Sequence, residues 1–125
     1  MKKKIIIISG DPNSINSELI FKMWKQIDEA VKKRIYLISN FNLIQKQFKI
    51  LNYPIKIVKV KNIDLNNNEN KLKILDIDLK FKNPFKISQD SASRFVINSL
   101  NYAHKLGINK NVIGIINCAI NKKLL

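Results

Sequence analysis

Cysteine, histidine, glycine and proline are all scarce in this chain of 125 residues. The one cysteine, Cys118, excludes an intrachain disulfide and a cysteine-based zinc cluster, and it suits a reducing, cytoplasmic setting. The one histidine, His104, leaves no histidine-rich metal site within these residues. Three glycines and three prolines exclude collagen-like and proline-rich classes.

Long apolar runs are also missing. The run at residues 5–8 is far shorter than the ~18 residues that a membrane span needs. Lysines 2–4 before it imitate the start of a secretory signal, but Gly10, Asp11 and Pro12 interrupt it and no small-residue cleavage site follows. The sequence therefore predicts no membrane segment, and it predicts that residues 5–8 form a buried first strand.

Arginine is nearly absent from a strongly basic chain. The formal net charge is +14, yet only Arg34 and Arg94 among the 23 basic residues are arginines. Arginine is the better bidentate ligand for phosphate and guanine. Lysine, asparagine and isoleucine all have A/T-rich codons, so genome composition accounts for much of the lysine excess. We therefore do not expect nucleic acid as the partner, and a basic α/β module that binds nucleic acid or another polyanion is the alternative interpretation.

The residues that are present alternate between short apolar runs and helical repeats. Hydrophobic residues make up 46% of the chain, enough for the core of about one domain. Predicted strands occupy residues 4–9, 35–38, 55–60 and 112–116. Predicted helices occupy residues 16–34, 43–51 and 88–107, with N-caps at Asn16 and Ser88 and a C-cap at Gly107. The polar, asparagine-rich segment 61–71 lies between two strands.

Two sets of polar residues invite a catalytic interpretation. In residues 72–81, Asp76, Asp78 and Lys80 alternate with apolar residues, which predicts an antiparallel-looking strand with one solvated face. Asp76 and Asp78 could form a carboxylate pair for acid–base chemistry or a metal, but a solvated face is the simpler interpretation. His104 is adjacent to the inner face of the last helix, and a surface or half-buried position is favoured over a catalytic base.

Strands that alternate with helices predict an α/β fold of the doubly wound type, a mostly parallel sheet with helices on both faces. We see no internal repeat or domain boundary, so residues 1–125 are expected to form one domain. In such sheets ligands bind at the carboxyl ends of the strands. The loop at residues 10–18 follows the first strand, but it has neither the Gly-x-Gly-x-x-Gly fingerprint nor a P-loop sequence. From the residues alone it is an ordinary strand-to-helix loop.

A family resemblance rests on three segments. Gly10-Asp11-Pro12-x-x-Ile15-x-x-Glu18 resembles the Gly-Asp-Pro-Ala-Gly-Ile-Gly-Pro-Glu opening of the 4-hydroxythreonine-4-phosphate dehydrogenases. Residues 115–122, Ile-Ile-Asn-Cys-Ala-Ile-Asn-Lys, resemble the family's Ile-Val-Thr-Ala-Pro-Ile-Asn-Lys, and residues 88–92 with the helix after them resemble its Ser-Ala-Glu-Ser-Gly segment. The three segments occur in the family's order and spacing over the whole chain. The resemblance implies the isocitrate/isopropylmalate dehydrogenase-like fold.

The chain departs from the family pattern where glycines would approach a ligand. Asn13-Ser14, Asn16 and Ser17 stand where the family has Ala-Gly, Gly and Pro. Asn117 and Ala119 replace the family's Thr and Pro. Asparagine tolerates the left-handed backbone region better than serine does, so the loop can keep its path while contact with a cofactor is in doubt.

The resemblance implies an enzyme that oxidises 4-phosphooxy-L-threonine with NAD and a divalent metal ion, with decarboxylation following, on the path to pyridoxal 5′-phosphate. It also implies a small phosphorylated substrate, a homodimer and a site in an interdomain cleft. The family's metal-binding histidines and phosphate-binding basic residues lie after the Ile-Asn-Lys segment, so we expect catalytic residues beyond Leu125 and no metal ligand in this chain. The chain is then expected to be the N-terminal part of a longer two-domain enzyme, and inactive alone.

Three residues in loops after strands are the candidates for facing that cleft: Asp11, Asn121 and Lys122. The alternatives are a turn-forming aspartate and a solvated loop end. No cofactor-binding residue can be assigned. A non-catalytic interaction subunit with the same fold is a further alternative, because the loop has lost its glycines.

Overall fold

A computed structural model describes residues 3–14, 16–63 and 70–118 of the chain. Its strands are β1 (Lys4–Ile8), β2 (Ile35–Ser39), β3 (Ile57–Val60), β4 (Leu72–Asp76) and β5 (Val112–Asn117). Its helices are α1 (Asn16–Gln26), α2 (Glu29–Lys32), α3 (Phe41–Ile50) and α4 (Gln89–Gly107).

The five strands form one parallel sheet in the order β3-β4-β2-β1-β5. In the register of the sheet, Ile5 of β1 pairs with Ile35 of β2 on one side and with Gly114 of β5 on the other. The chain moves from β1 to β2 in one direction, and later returns from β4 across β2 and β1 to β5. The predicted doubly wound α/β class is confirmed, and every strand pairing is parallel.

The core lies on both faces of the sheet. On one face Ile7 and Leu37 pack with Trp24 of α1 and Phe48 of α3. On the other face Ile6, Ile8, Tyr36 and Ile38 pack with Ala103 of α4. Because successive residues of a strand point to opposite faces, β2 is buried at every position, as its unbroken apolar sequence predicts for a central parallel strand.

The first predicted helix is interrupted. Periodic apolar positions predict a helix over residues 16–34, but α1 ends at Gln26 and a short α2 follows. The side chain of Asp28 accepts a hydrogen bond from the backbone N–H of Val31 at 2.9 Å and so begins a new helix. Asn16, predicted as an N-cap, is the first helical residue, and its Nδ2 donates to the carbonyl of Ser9 at 2.6 Å.

The antiparallel, half-solvated strand predicted at residues 72–81 is wrong. Only residues 72–76 form a strand, and β4 runs parallel to β2 and β3. It is buried on both faces, because Leu72 and Ile74 pack in the core that contains Trp24 while Leu75 packs in the core that contains Ala103. Even Lys73 is 1% exposed. Alternation of polar and apolar residues continues beyond Asp76, but the chain there leaves the sheet.

The last strand is parallel as expected but is not buried. β5 is an edge strand, bonded to β1 alone, and Ile113, Ile115 and Ile116 are exposed. Gly107 is the last residue of α4 and not a left-handed cap, because the C-cap Ile108 keeps right-handed helical angles. A Cβ atom at Gly107 would lie 3.1 Å from Cδ1 of Ile115, the flexible end of a side chain on β5.

Smaller differences concern the ends of elements. β3 begins at Ile57 and not at residue 55, after Pro54 and a backbone bond from Ile55 N–H to the carbonyl of Tyr53. Helix α3 begins at Phe41, two residues earlier than predicted, and the side chain of the N-cap Asn40 accepts from Leu43 N–H. Most of the polar segment predicted between strands, residues 64–69, lies outside the described residues. None of the helices in the described part of the chain combines the length and apolar character needed to span a bilayer.

Candidate functional site at the carboxyl edge of the sheet

The direction of chain travel reverses between β1 and β5. Helices α1 and α3 lie on the face that β1 and β2 share with Trp24 and Phe48, whereas α4 returns over the opposite face to reach β5. Loops that follow two strands at such a reversal diverge and leave a crevice between them. The loop after β1 and the residues after β5 therefore flank the place where a doubly wound sheet offers a ligand site.

The loop after β1 is held in a tight turn by its own polar groups. Gly10 adopts a φ of 78°, which favours glycine. A carboxylate oxygen of Asp11 accepts a hydrogen bond from Asn13 N–H at 2.9 Å, and Ser14 Oγ donates to the carbonyl of Asp11 at 2.8 Å. Asp11 thus forms the turn that its alternative interpretation describes, while it remains half-buried at the carboxyl edge.

A second set of hydrogen bonds ties this loop to the chain before α4. Asn13 Nδ2 donates to the carbonyl of Ile87, and Asn13 Oδ1 accepts from Ile87 N–H, both at 2.8 Å. Ile87 immediately precedes Ser88, whose hydroxyl accepts from Ser91 N–H and caps α4. Two of the three family-like segments, at residues 10–18 and 88–92, therefore lie side by side.

Gln47 of α3 links the loop after β1 to the chain that precedes α4. Its side chain is 3% exposed, and Nε2 donates to the carbonyls of Pro12 at 3.3 Å and Pro84 at 2.7 Å. The sequence did not identify Gln47 or Asn13 as positioning residues. One signal for Gln47 was available, because it falls on the inner face of α3 beside Ile44 and Phe48.

The third family-like segment begins beside the end of β1. Asn117 pairs with Ile8, and the N–H of Cys118 donates to the carbonyl of Ile8 at 3.0 Å. The candidate residues Asn121 and Lys122 lie outside the described residues. Cys118 is half-buried against the core face that contains Ile7. Burial raises the pKa of its thiol, so the thiol is protonated near neutral pH and is a poor nucleophile.

The other polar candidates do not join this site. Asp76 Oδ1 accepts from Phe41 N–H at 2.7 Å and stabilises the start of α3, and Asp78 is exposed. His104 is exposed in the last turn of α4, which ends at the opposite, amino edge of the sheet. The surface interpretation of His104 is confirmed. Over residues 3–14, 16–63 and 70–118, no three histidine, cysteine, aspartate or glutamate side chains come together as a metal site.

Comparison with known proteins finds solved structures that share this fold. No protein-family model matches the chain, and no curated protein matches it significantly. Among solved structures, the chain superposes with a TM-score of 0.82 on a proposed 4-hydroxythreonine-4-phosphate dehydrogenase from Salmonella typhimurium, at 17% identity. It superposes on 4-hydroxythreonine-4-phosphate dehydrogenases from Klebsiella pneumoniae and Burkholderia phymatum with TM-scores of 0.78 and 0.73, at 18% and 17% identity.

The chain has the fold of part of these dehydrogenases. The three superpositions cover 98–99% of this chain but only 38–39% of each matched chain. The described strands and helices therefore correspond to about two fifths of a larger molecule in each case. At this level of identity the likeness establishes the fold, and it agrees with the fold that the three sequence segments imply.

Proposed function

We propose that this chain forms part of an oxidoreductase of the 4-hydroxythreonine-4-phosphate dehydrogenase family, and that residues 1–125 are the N-terminal portion of a longer two-domain enzyme. The observation that supports the proposal is the TM-score of 0.82 over 99% of the chain. The fold brings the family-like loop at residues 10–14 beside Ser88 at the strand reversal. A chance fold match would not require two family-like segments to meet at this edge.

The reaction in this proposal is the NAD-dependent oxidation of 4-phosphooxy-L-threonine, followed by decarboxylation, in pyridoxal 5′-phosphate synthesis. NAD supplies the hydride chemistry when bound. The family resemblance places the metal-binding histidines after residue 122, so in this proposal the divalent ion is held by a later part of the longer enzyme. In this proposal, residues 1–125 form one wall of the substrate cleft and fix the geometry of the loop that contains Asp11.

Assembly and location belong to the same proposal. We infer a homodimer that acts on a small phosphorylated substrate in the cytoplasm. The support for dimerisation is indirect: the family resemblance, together with the exposed isoleucines of β5. A reducing compartment suits a chain with one half-buried cysteine, Cys118.

A second candidate function is an interaction subunit that keeps the fold without the chemistry. One observation favours it: the side chain of Asn13 makes two hydrogen bonds to the backbone of Ile87, where the family has a small residue. These bonds attach the loop after β1 to the chain before α4. In the second candidate function the backbone groups of this loop do not bind a cofactor, and the chain keeps the fold without the reaction.

The two candidates are separated by whether the native-length wild-type protein forms NADH, and Asp11→Asn then tests whether the charge of Asp11 contributes to that reaction. The asparagine Oδ1 accepts the same bond from Asn13 N–H, so the turn and the unfolding midpoint should be unchanged. If Asp11 faces the substrate, kcat/KM for NADH formation by the native-length protein should fall by at least about tenfold, the effect of losing a charged contact.

The matched control is Asp78→Asn, which removes an exposed carboxylate from a different loop. It should leave kcat/KM unchanged. If the Asp11→Asn protein is as active as the wild type, Asp11 only stabilises the turn and does not contact the substrate. A native-length wild-type protein that makes no NADH would favour the interaction subunit.

A further inference from the structure

An open cavity of about 550 Å³ lies at the amino edge of the sheet, opposite the loop that contains Asp11. It is bounded by the last turn of α1, by Lys32 before β2, and by residues 54–56 before β3. Ligand cavities typically have volumes of about 300–1,000 Å³. The residues that matter for its chemistry are Phe21, Trp24, Lys25, Lys32, Ile55 and Lys56.

The rim of the cavity is cationic. Lys25 Nζ lies 5.1 Å from the ring centroid of Phe21, and Lys32 Nζ lies 5.2 Å from that of Trp24. Lys56 is exposed and lines the same space. Glu29 is the acidic neighbour, with a carboxylate oxygen 3.7 Å from Lys32 Nζ. Three ammonium groups and one carboxylate give a local charge of about +2. This charge balances the charge of about −1.5 to −2 on a phosphate monoester near neutral pH.

The floor of the cavity is apolar and partly rigid. Trp24 is 6% exposed and belongs to the core, so its ring is fixed. Phe21 stacks on Tyr53 with ring centroids 4.0 Å apart and planes 2° from parallel. Ile55 completes the apolar lining. An anion with a flat apolar body could bury that body here while its charge stays at the lysine rim.

We propose that this cavity binds a phosphate monoester that carries an aromatic group, the combination present in a nucleotide and, in its simplest form, in phenyl phosphate. The sequence offers no interleaved arginine and aromatic run, but folding brings lysines and aromatic residues from α1, α2 and the chain before β3 to one place. An adjoining cavity of about 550 Å³ shares Ile55 and Lys56 and adds Lys49 and Lys71. The site lies at the amino edge, so it is independent of the function proposed for the carboxyl edge.

Trp24 is the single tryptophan of the chain, so its fluorescence reports on this cavity directly. Phenyl phosphate should change Trp24 fluorescence in a saturable way, at lower concentration than inorganic phosphate or phenol. Lys56→Gln should weaken phenyl phosphate binding about tenfold, the effect of losing one charged contact. Lys105→Gln, which removes an equal charge from an exposed position on α4, should leave it unchanged.

The proposal is overturned if phenyl phosphate causes no saturable change, if inorganic phosphate binds as tightly, or if Lys105→Gln weakens binding as much as Lys56→Gln. Equal unfolding midpoints for the two variants check that both are folded. AMP and a short oligoadenylate then distinguish the source of the ligand. Tighter binding of the oligomer that depends on Lys49 and Lys71 identifies a single strand running through both cavities, and equal binding per site identifies a free nucleotide.

Discussion

At the scale of single residues, the polar side chains of exposed Asn13 and buried Gln47 hold the carboxyl edge together. Asn13 bonds the loop after β1 to Ile87, and Gln47 bonds it to Pro84 as well as to α3. These bonds link segments that are distant along the chain. Removing one such side chain leaves buried carbonyls without a donor, which costs more than the bond itself contributes.

Gln47→Leu should therefore lower the free energy of unfolding by about 1–3 kcal/mol, although leucine is similar in size and more apolar. Urea unfolding followed by circular dichroism measures the change. Gln45→Leu is the control, because Gln45 is exposed on the same helix. It should alter stability by less than about 0.5 kcal/mol. Equal effects of the two variants would mean that the bonds to Pro12 and Pro84 contribute nothing.

Lys73 is a second residue with a measurable signature. It lies on central strand β4, donates to the carbonyl of Lys33 at 2.7 Å, and its Nζ is 4.4 Å from the ring centroid of Tyr36. Burial, with a smaller contribution from the charge of Lys4, lowers the pKa of Lys73 from 10.5 to about 8. In the unfolded chain the same amine keeps its proton up to the higher value.

Between pH 8 and 10.5 the unfolded state binds more protons at Lys73 than the folded state does, so this residue makes stability rise with pH across that window. Lys73→Met should remove this contribution. The difference in unfolding free energy between wild type and Lys73→Met should then move in favour of the wild type as pH increases from 7 to 10.5. A difference that is constant over the range would contradict a lowered pKa.

At the scale of elements, two glycines have opposite roles. Gly10 has a φ of 78° at the turn after β1, where a side chain would be strained. Gly107 ends α4 with ordinary helical geometry, and the nearest atom to an added Cβ is the flexible end of Ile115, at 3.1 Å. The first glycine serves backbone conformation, whereas the second has room for a Cβ atom once the end of the Ile115 side chain shifts.

Gly107→Ala should raise the free energy of unfolding by about 0.4–1 kcal/mol, because alanine restricts the unfolded chain and exposed Ile115 can shift by a few tenths of an ångström. Gly10→Ala should lower it by about 1–2 kcal/mol. Thermal unfolding of the two variants beside wild type gives the comparison. Destabilisation by both substitutions would show that Ile115 is fixed by packing that the exposed edge does not suggest.

Periodicity predicted which elements form but not where each lies in the sheet. The unbroken apolar sequences of β1 and β2 indicated central parallel strands, and both are central. The same kind of sequence in β5 lies at an edge, because strand order depends on contacts between distant segments that a local pattern does not contain. For the same reason the sequence predicts a half-solvated β4, whereas the fold covers both of its faces and buries Lys73.

For the candidate site, loop positions could be predicted and their internal bonding could not. Asp11 follows a strand and was placed at the carboxyl edge by topology alone. Asn13 and Gln47 act through backbone carbonyls of Ile87, Pro12 and Pro84, which have no sequence signature. The sequence also does not predict that the lysine and aromatic residues of the amino-edge cavity lie together, since they come from three separate parts of the chain.

At the scale of the whole molecule, the edge strand β5 exposes three isoleucines. Ile113, Ile115 and Ile116 are 51%, 40% and 54% exposed, on an edge strand without a charged residue. The opposite edge strand β3 is shorter and contains Lys59. Charged residues protect edge strands from pairing with other chains, so β5 is the less protected edge.

The 125-residue chain should form oligomers that grow with concentration and with added salt, because salt screens the repulsion due to a net charge of +14. Sedimentation velocity over a salt series measures this. Ile113→Lys should suppress association, whereas Leu19→Lys, an equal charge change at a similarly exposed residue of α1, should not. A single compact monomer at every salt concentration would indicate that the edge needs no partner.

The most direct test of the account is NADH formation from 4-phosphooxy-L-threonine with NAD and a divalent metal ion, measured for the 125-residue chain and for the native-length protein side by side. The account predicts no NADH from the 125-residue chain, whose described residues hold no metal cluster, and steady, metal-dependent NADH formation from the native-length protein. Steady turnover by the 125-residue chain, or none by the native-length protein with metal present, would contradict it.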